Sequence, residues 1–201
     1  MKGLYTYGMW LPQMDELVRP LVQGHQVYDL GAGTLGHTHR LLELGASSVV
    51  AVDKQPFNPA IYQGYPIQPL GRIQFHQVVV PAEGIKVALL AFPDNRPLSG
   101  LIPLLKRCET VIYLGCNVEG TACGWPALWD YLHFREIKGH VPHPKNSLIV
   151  YGRHLEESER RPLVGEEVGA TCGMVIDFPS AQRTARQVAA IAGSNKPDFT
   201  Q

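Results

Sequence analysis

Short apolar runs alternate along this chain with longer stretches in which apolar residues recur every three or four positions. The short runs are rich in Val, Ile and Leu and predict β-strands, whereas the longer stretches predict amphipathic helices. Such alternation is typical of a parallel sheet covered by helices. Strands are predicted at 26–30, 48–53, 72–80, 86–92, 110–115, 135–141 and 147–153, and helices at 12–21, 37–44, 97–106 and 125–134.

The last two predicted strands differ from the others in the way they are connected. Pro142, Pro144 and Asn146 lie between them, and the connection is too short for a helix. Such a connection predicts an antiparallel hairpin. The predicted fold class is therefore α/β: a seven-stranded, mostly parallel, doubly wound sheet with a terminal antiparallel hairpin, followed by a C-terminal extension.

Residues 154–201 differ in pattern from the rest of the chain. A charge-rich stretch at 155–161 is followed by glycines at 165, 169 and 173. A helix is predicted at 181–192, where Ser180 can act as N-cap and small apolar residues form a stripe. We therefore predict one domain at 1–153 and an extension at 154–201 that docks on it.

The composition predicts a folded, neutral protein. Of the 201 residues 45% are hydrophobic, and 18 basic side chains balance 18 acidic ones, which excludes global disorder. The longest apolar run, 87–92, is too short to span a bilayer, and the N-terminus lacks the apolar segment of a signal peptide. Four cysteines without a C-x-x-C pair predict neither a metal site nor a disulfide framework. We expect a cytoplasmic protein.

The charge distribution says little about partners. Proteins that bind nucleic acid through phosphate attraction usually carry a basic excess, which this chain lacks. We interpret the basic cluster of the hairpin as a solvated face rather than a polyanion contact. No membrane partner is expected, a small-molecule substrate is slightly favoured, and nucleic acid, protein and an oligomer stay open. The cluster comprises Arg135, Lys138, His140, His143 and Lys145.

The candidate chemistry lies in the turn after the first strand, which reads DLGAGTLG from Asp29 to Gly36. Glycines allow a tight turn and a close approach of a ligand to the backbone. The helix that follows offers unpaired N–H groups to an anionic group. Asp53 ends the second strand, where a carboxylate can accept hydrogen bonds from both hydroxyls of a ribose. The segment therefore predicts a nucleoside site.

Two kinds of nucleoside cofactor satisfy this pattern. The glycines match G-x-G-x-x-G, so a nicotinamide dinucleotide and an oxidoreductase activity must be considered. Asp29 argues against them, because a buried carboxylate repels a pyrophosphate. The same carboxylate attracts the amine and sulfonium of S-adenosylmethionine.

The order Asp-Leu-Gly-Ala-Gly-Thr-x-Gly, with Asp53 downstream, resembles motif one of class I S-adenosylmethionine-dependent methyltransferases. The resemblance extends over roughly residues 12–153 and implies the cofactor S-adenosylmethionine and methyl transfer to an unidentified acceptor. It places Asp29 near the methionine amine and Asp53 on the ribose hydroxyls. The remaining cofactor-binding set that it implies is Gly31, Ala32, Gly33, Lys54 and Phe92.

The loop after the fourth strand supplies acceptor contacts in that family. Amino-group methyltransferases carry Asp/Asn-Pro-Pro-aromatic there, whereas this chain reads AFPDNR at 91–96. We assign Asp94 and Asn95 to acceptor contacts and the catalytic role, with simple turn formation as the alternative. The departure from the motif also leaves open a catalytically inactive methyltransferase-like domain that binds ligand or protein.

Two groups of side chains near the turn have open interpretations. His37 and His39 begin the helix after the glycines, and a surface or capping role is favoured over contact with the ligand. Tyr5, Tyr7 and Trp10 precede the first helix and can either form a lid over the cofactor or pack on the core.

Overall fold

The computed structural model describes residues 10–115, 123–143 and 146–159. The predictions for Tyr5 and Tyr7, for the helix at 181–192 and for the docking of the C-terminal extension lie outside these residues.

Seven strands form one sheet in the order β3-β2-β1-β4-β5-β7-β6. The first five strands are parallel, and β7 pairs antiparallel with both β5 and β6. This confirms the predicted α/β class, the doubly wound order and the terminal hairpin. The strands are β1 Gln26–Leu30, β2 Ser48–Asp53, β3 Ile67–Gly71, β4 Ile85–Ala91, β5 Cys108–Gly115, β6 Arg135–Val141 and β7 Ser147–His154.

One helix precedes β1, and the others lie in connections between strands, as an α/β fold requires. Only the helix predicted at 97–106 is clearly shorter, because Gly100 adopts the left-handed conformation (φ 81°) directly before it. The helices are α1 Pro12–Val22, α2 Gly36–Glu43, α3 Pro59–Tyr62, α4 Leu101–Leu105 and α5 Pro126–His133, with short 3-10 turns at Phe75–Gln77 and Glu157–Glu159.

Alternate residues of the central strands pack on opposite faces of the sheet. On β4, Leu89 packs with Val18 of α1 and Leu41 of α2, whereas Leu90 packs with Leu101 of α4 and Leu128 of α5. Two cores therefore sandwich the sheet, as a doubly wound fold requires. In this arrangement α2 covers the face of β1 on which the side chain of Asp29 lies.

The third strand was predicted in the wrong place. Residues 72–80 have a strand-like composition, but Phe75 begins a 3-10 turn and Val79 is 85% exposed. The strand is Ile67–Gly71 instead. It contains Pro69, which argues against a strand in a sheet interior, but β3 lies at the sheet edge, where a missing N–H costs no ladder hydrogen bond.

The interpretation of the basic cluster as a solvated face is wrong for its first member. Arg135 is 4% exposed and lies among β5, β7 and α5. Lys138 is exposed, as expected. Separately, no helix in the described ranges is long and apolar enough to cross a membrane.

Candidate cofactor and acceptor site

The glycine turn joins β1 to α2 and is held against β2. The backbone N–H groups of Gly31 and Ala32 both donate to the carbonyl of Val52, at 2.8 and 3.0 Å. Gly31 (φ 88°) and Gly33 (φ 52°) have left-handed backbones, which side-chain-bearing residues rarely adopt. The nearest heavy atom to a Cβ built on either glycine is 3.9 Å away, so conformation rather than space requires glycine here.

Asp53 ties the end of β2 to this turn. Its Oδ2 accepts a hydrogen bond from the N–H of Gly33 at 2.9 Å, and its Oδ1 accepts one from the N–H of Gln55 at 2.8 Å. The side chain is half-buried. Since each carboxylate oxygen can accept more than one hydrogen bond, both retain capacity for a ligand hydroxyl.

Asp29 lies on β1 directly beneath the turn and is fully buried. Thr38 of α2 donates its hydroxyl to Asp29 Oδ2 at 2.6 Å, whereas Oδ1 has no hydrogen-bond partner among the residues that the structure describes. Burial raises the pKa of this carboxyl to about 7; the Thr38 hydrogen bond opposes that effect, and the charge of Asp53 adds to it.

A cavity of about 220 Å³ opens between the turn and the end of β4. Backbone from the turn forms one side, and the β4 end forms the other. It therefore connects the predicted cofactor-binding segment with the start of the predicted acceptor loop. The lining residues are Gly31, Ala32, Gly33, Thr34, Gly36, His37, Ala91 and Phe92.

His37 lies in the wall of this cavity between two aromatic rings. Its ring is nearly parallel to that of Phe92, with centroids 6.4 Å apart, and tilted against that of Trp10 at 5.7 Å. His37 is 7% exposed, and its Nε2 is buried without a partner in the described ranges. Desolvation lowers the pKa of the imidazole to about 4, so it is neutral near pH 7.

The expected surface or capping role of the two histidines is wrong. Both are buried, and the N-cap position of α2 is Leu35. His39 Nε2 lies 2.8 Å from the carbonyl of Ile61, and its ring meets Tyr65 edge-on at 4.6 Å. His39 therefore packs against the α3 region, and only His37 of the pair lines the cavity.

Asp94 and Asn95 follow β4 outside the cavity lining. Lys54 Nζ lies 3.4 Å from Asp94 Oδ2, and the N–H of Arg96 donates to Asp94 Oδ1 at 3.2 Å. The Arg96 N–H, with the Lys54 charge, lowers the pKa of Asp94. Asn95 is exposed. Asp94 thus forms a local turn and also links the acceptor loop to the end of β2.

The structure therefore brings together much of what the sequence predicted. The glycine turn, Asp53 and Phe92 surround one edge of the sheet, with Asp29 beneath them and Lys54 beside Asp94. His37 and Thr38 were not assigned to the site. Their position on the face of α2 that carries Leu41 toward the sheet is the sequence signal that could have indicated burial. In the described part of the chain no group of three or more His, Cys, Asp or Glu side chains could hold a metal ion.

Comparison with known proteins identifies the fold. No protein-family model and no curated protein matches the sequence. A 1,6-didemethyltoxoflavin-N1-methyltransferase of Burkholderia thailandensis, solved with bound 1,6-didemethyltoxoflavin and S-adenosylhomocysteine, superposes with a TM-score of 0.54 at 17% identity. The match covers 72% of this chain and 78% of that one.

Two further solved structures superpose on this chain. An S-adenosylmethionine-dependent methyltransferase of Mesorhizobium loti matches with a TM-score of 0.50 at 12% identity, over 70% of this chain and 96% of that one. A proposed hemolysin of Streptococcus thermophilus matches with a TM-score of 0.51 at 16% identity, over 74% and 70%. The chain has the fold of class I S-adenosylmethionine-dependent methyltransferases. Because a fold hosts several activities, the function must be argued from the site.

Proposed function

We propose that this protein is an S-adenosylmethionine-dependent methyltransferase whose acceptor is a small molecule or an accessible group on a macromolecule. The fold is that of such enzymes, and the glycine turn carries the residues whose motif resembles the cofactor-binding motif of that family. The cofactor would supply a methyl group already activated on a sulfonium. The task of the protein is then to bind, to orient the acceptor and to exclude water.

The observation that carries the proposal is Asp29. A fully buried carboxyl group with an unpartnered oxygen in the described chain is costly unless a ligand compensates it. A cationic group would restore the missing interaction and favour the ionised form of the carboxyl. The amine and sulfonium of S-adenosylmethionine carry such charge, whereas the pyrophosphate of a nicotinamide dinucleotide would be repelled.

The other predicted residues fit the same ligand. Gly31, Ala32 and Gly33 line the cavity with backbone and one methyl group, which suits the methionine chain. Asp53 retains acceptor capacity for the ribose hydroxyls. On position alone, we assign Lys54 to the adenosine surroundings and Phe92 to the boundary between the cofactor and the acceptor.

Asp94 and Asn95 are assigned to the acceptor side. Both lie within three residues after Phe92, in the loop that begins at the cavity. The Asp94 carboxylate is held by the Arg96 N–H and by Lys54, and its lowered pKa keeps it ionised at neutral pH. An ionised carboxylate can accept a hydrogen bond from an N–H or O–H of an acceptor.

Calorimetric titration with S-adenosylmethionine, S-adenosylhomocysteine and NADH tests this proposal. Binding of the first two with micromolar dissociation constants, and no binding of NADH, is expected. Binding of NADH alone would overturn it. Binding of S-adenosylmethionine without turnover in a broad acceptor screen would instead favour the catalytically inactive alternative.

The variant Asp53→Ala tests the ribose assignment. Loss of hydrogen bonds to a charged group should weaken binding of S-adenosylhomocysteine roughly ten- to a hundredfold, while the circular dichroism spectrum stays unchanged. Glu109→Ala is the matched control, because Glu109 also accepts a hydrogen bond but lies on β5 at the opposite end of the sheet. Unchanged affinity in Asp53→Ala would contradict the assignment.

A further inference from the structure

We propose that His37, held between Trp10 and Phe92, forms an acceptor subsite for a planar aromatic group and accepts a hydrogen bond from a hydroxyl or amine on it. This inference rests on the proposed function, because it assumes that the cofactor lies beside the glycine turn.

The position of His37 links the two halves of the cavity. It follows Gly36 at the start of α2, on the cofactor side, and its ring stacks on Phe92 of the acceptor side. Phe92 is itself fixed, since its N–H donates to the carbonyl of Leu114 at 2.7 Å. Its φ of 48° is unusual for a bulky residue, and such strain persists only where the surroundings enforce it.

Trp10 fixes the other side of the imidazole. Its indole N–H donates to Asp15 Oδ1 at 2.6 Å, which sets the position of the ring beside His37. The rings of His37 and Phe92 line the cavity, and Trp10 packs against the imidazole from outside the lining. Aromatic side chains pack favourably against further aromatic rings, so this lining suits a flat, unsaturated ligand.

The unmet hydrogen bond specifies the polar group of that ligand. His37 Nε2 is buried and without a partner in the parts of the chain that are described, which costs free energy in the absence of a ligand. Because the imidazole is neutral, one of its ring nitrogens can accept a hydrogen bond. The Asp29 carboxyl is already assigned to the cationic part of the cofactor, so an acceptor O–H or N–H is the remaining partner.

His37 therefore positions the acceptor and does not remove its proton. Desolvation that lowers the pKa of the imidazole to about 4 makes it a weak base, and protonation in the closed site is disfavoured. The proton that the acceptor loses would leave through another group or solvent.

The test compares phenol and toluene, which share a shape and differ by one hydroxyl group. Both are titrated by NMR into the protein loaded with S-adenosylhomocysteine. The variant His37→Phe retains the ring and the stack but removes the nitrogen. His39→Phe is the matched control, because His39 is a buried histidine of the same helix that does not line the cavity.

We expect the ratio of phenol to toluene affinity to fall at least fivefold in His37→Phe and to stay within twofold of wild type in His39→Phe. Affinity for S-adenosylhomocysteine should change less than threefold in His37→Phe. An unchanged ratio, or no binding of either probe to the loaded wild type, would overturn the subsite. Failure of wild type to bind S-adenosylhomocysteine would instead overturn the proposed function.

A measurement on the wild type avoids any folding defect of the variants. In protein labelled with ¹⁵N-histidine, phenol should shift the Nε2 resonance of His37 and toluene should not. Equal shifts with both probes, or none with phenol, would contradict a hydrogen bond at this atom.

Discussion

Two sets of buried polar side chains in this molecule, Arg135 beside the hairpin and the pair Asp29 and His37 at the glycine turn, differ in how their hydrogen bonds are satisfied. Beside the hairpin, Arg135 is 4% exposed. Its five hydrogen bonds reach four backbone carbonyls, which belong to Gly152, Leu105, Cys108 and Glu109, and the hydroxyl of Tyr131. All five N–H groups of an arginine are thereby used. At the glycine turn, Asp29 Oδ1 and His37 Nε2 lack partners among the described residues, and we call them the open atoms.

The difference separates a structural role from a binding role. A buried polar group that is fully paired within the chain holds elements together, as Arg135 does for β5, β7 and α5. A buried group with an open atom makes the chain less stable than it could be. The Tyr151 hydroxyl and His39 Nδ1 also lack partners among the described residues, so an unpartnered atom does not by itself indicate a site. The open atoms indicate function because they lie at the turn that lines the cavity, where a ligand can complete them.

Replacement of Arg135 should produce the largest effect on stability. Arg135→Met removes all five hydrogen bonds and leaves buried carbonyls unpaired, which should lower the free energy of unfolding by about 3 kcal/mol or more. Urea denaturation measures this change. Protein that remains folded should still bind S-adenosylhomocysteine, since Arg135 does not line the cavity.

Arg153→Met is the control for that variant. Arg153 is exposed on β7 and pairs with Glu159, so its loss should leave the free energy of unfolding close to that of wild type, because solvent screens an exposed ion pair. A similar small effect for Arg135→Met would mean that the buried network is not structural.

Replacement of Asp29 should weaken cofactor binding and leave stability unchanged or higher, the reverse of the effects expected for Arg135→Met. Asp29→Asn keeps the size of the side chain but removes the charge, so binding of S-adenosylmethionine should weaken at least thirtyfold, about 2 kcal/mol. The folded protein should be no less stable than wild type at pH 8, because an ionised buried carboxylate is no longer required. Calorimetric titration and urea denaturation measure the two quantities.

Asp130→Asn on the exposed side of α5 is the matched control, with neither quantity changed. If Asp29→Asn lowered stability as much as Arg135→Met while retaining affinity, the assignment of Asp29 to the cofactor would be wrong.

Local patterns made most of the sheet predictable from the sequence. The apolar runs of β1, β2, β4 and β5 are buried on both faces, and a continuous run of Val, Leu and Ile is the expected pattern for such strands. The edge strand β3 is not buried in this way, so its pattern is weak, and the apolar segment that includes Val79 imitated a strand. Burial of Arg135 depends on contacts with distant carbonyls that no local pattern encodes.

The site shows the same division between local and distant contacts. The glycine turn and Asp53 could be predicted because their positions follow from strand ends and backbone conformation. His37 could not be placed, because its burial depends on how α2 meets Trp10 and Phe92. The contact of Lys54 with Asp94 likewise joins the ends of β2 and β4, which the sheet order places on either side of β1. The roles of Asp94 and Asn95 stay predictions.

The smallest expected effect is that of pH on the stability of the wild-type protein, because the contributions of Asp29 and His37 cancel. Between the ordinary pKa of 3.8 and about 7, folded Asp29 holds a proton that the unfolded chain has lost, so this group makes stability fall as pH rises. Between about 4 and the ordinary 6.5, folded His37 lacks a proton that the unfolded chain binds, so stability falls as pH falls. The two contributions oppose each other over pH 4–6.5, and their sum is near zero.

Single variants should uncover each contribution. In His37→Phe only the contribution of Asp29 remains. The free energy of unfolding of this variant, relative to wild type, should therefore fall with rising pH by at most about 1.4 kcal/mol per pH unit. In Asp29→Asn only the contribution of His37 remains, so the stability of this variant should rise with pH over the same range. Urea denaturation at half-unit steps from pH 4.5 to 6.5 measures both slopes. Parallel curves for wild type and both variants would show that neither open atom belongs to a group whose protonation is coupled to folding, and the contrast with Arg135 would then rest on hydrogen bonding alone.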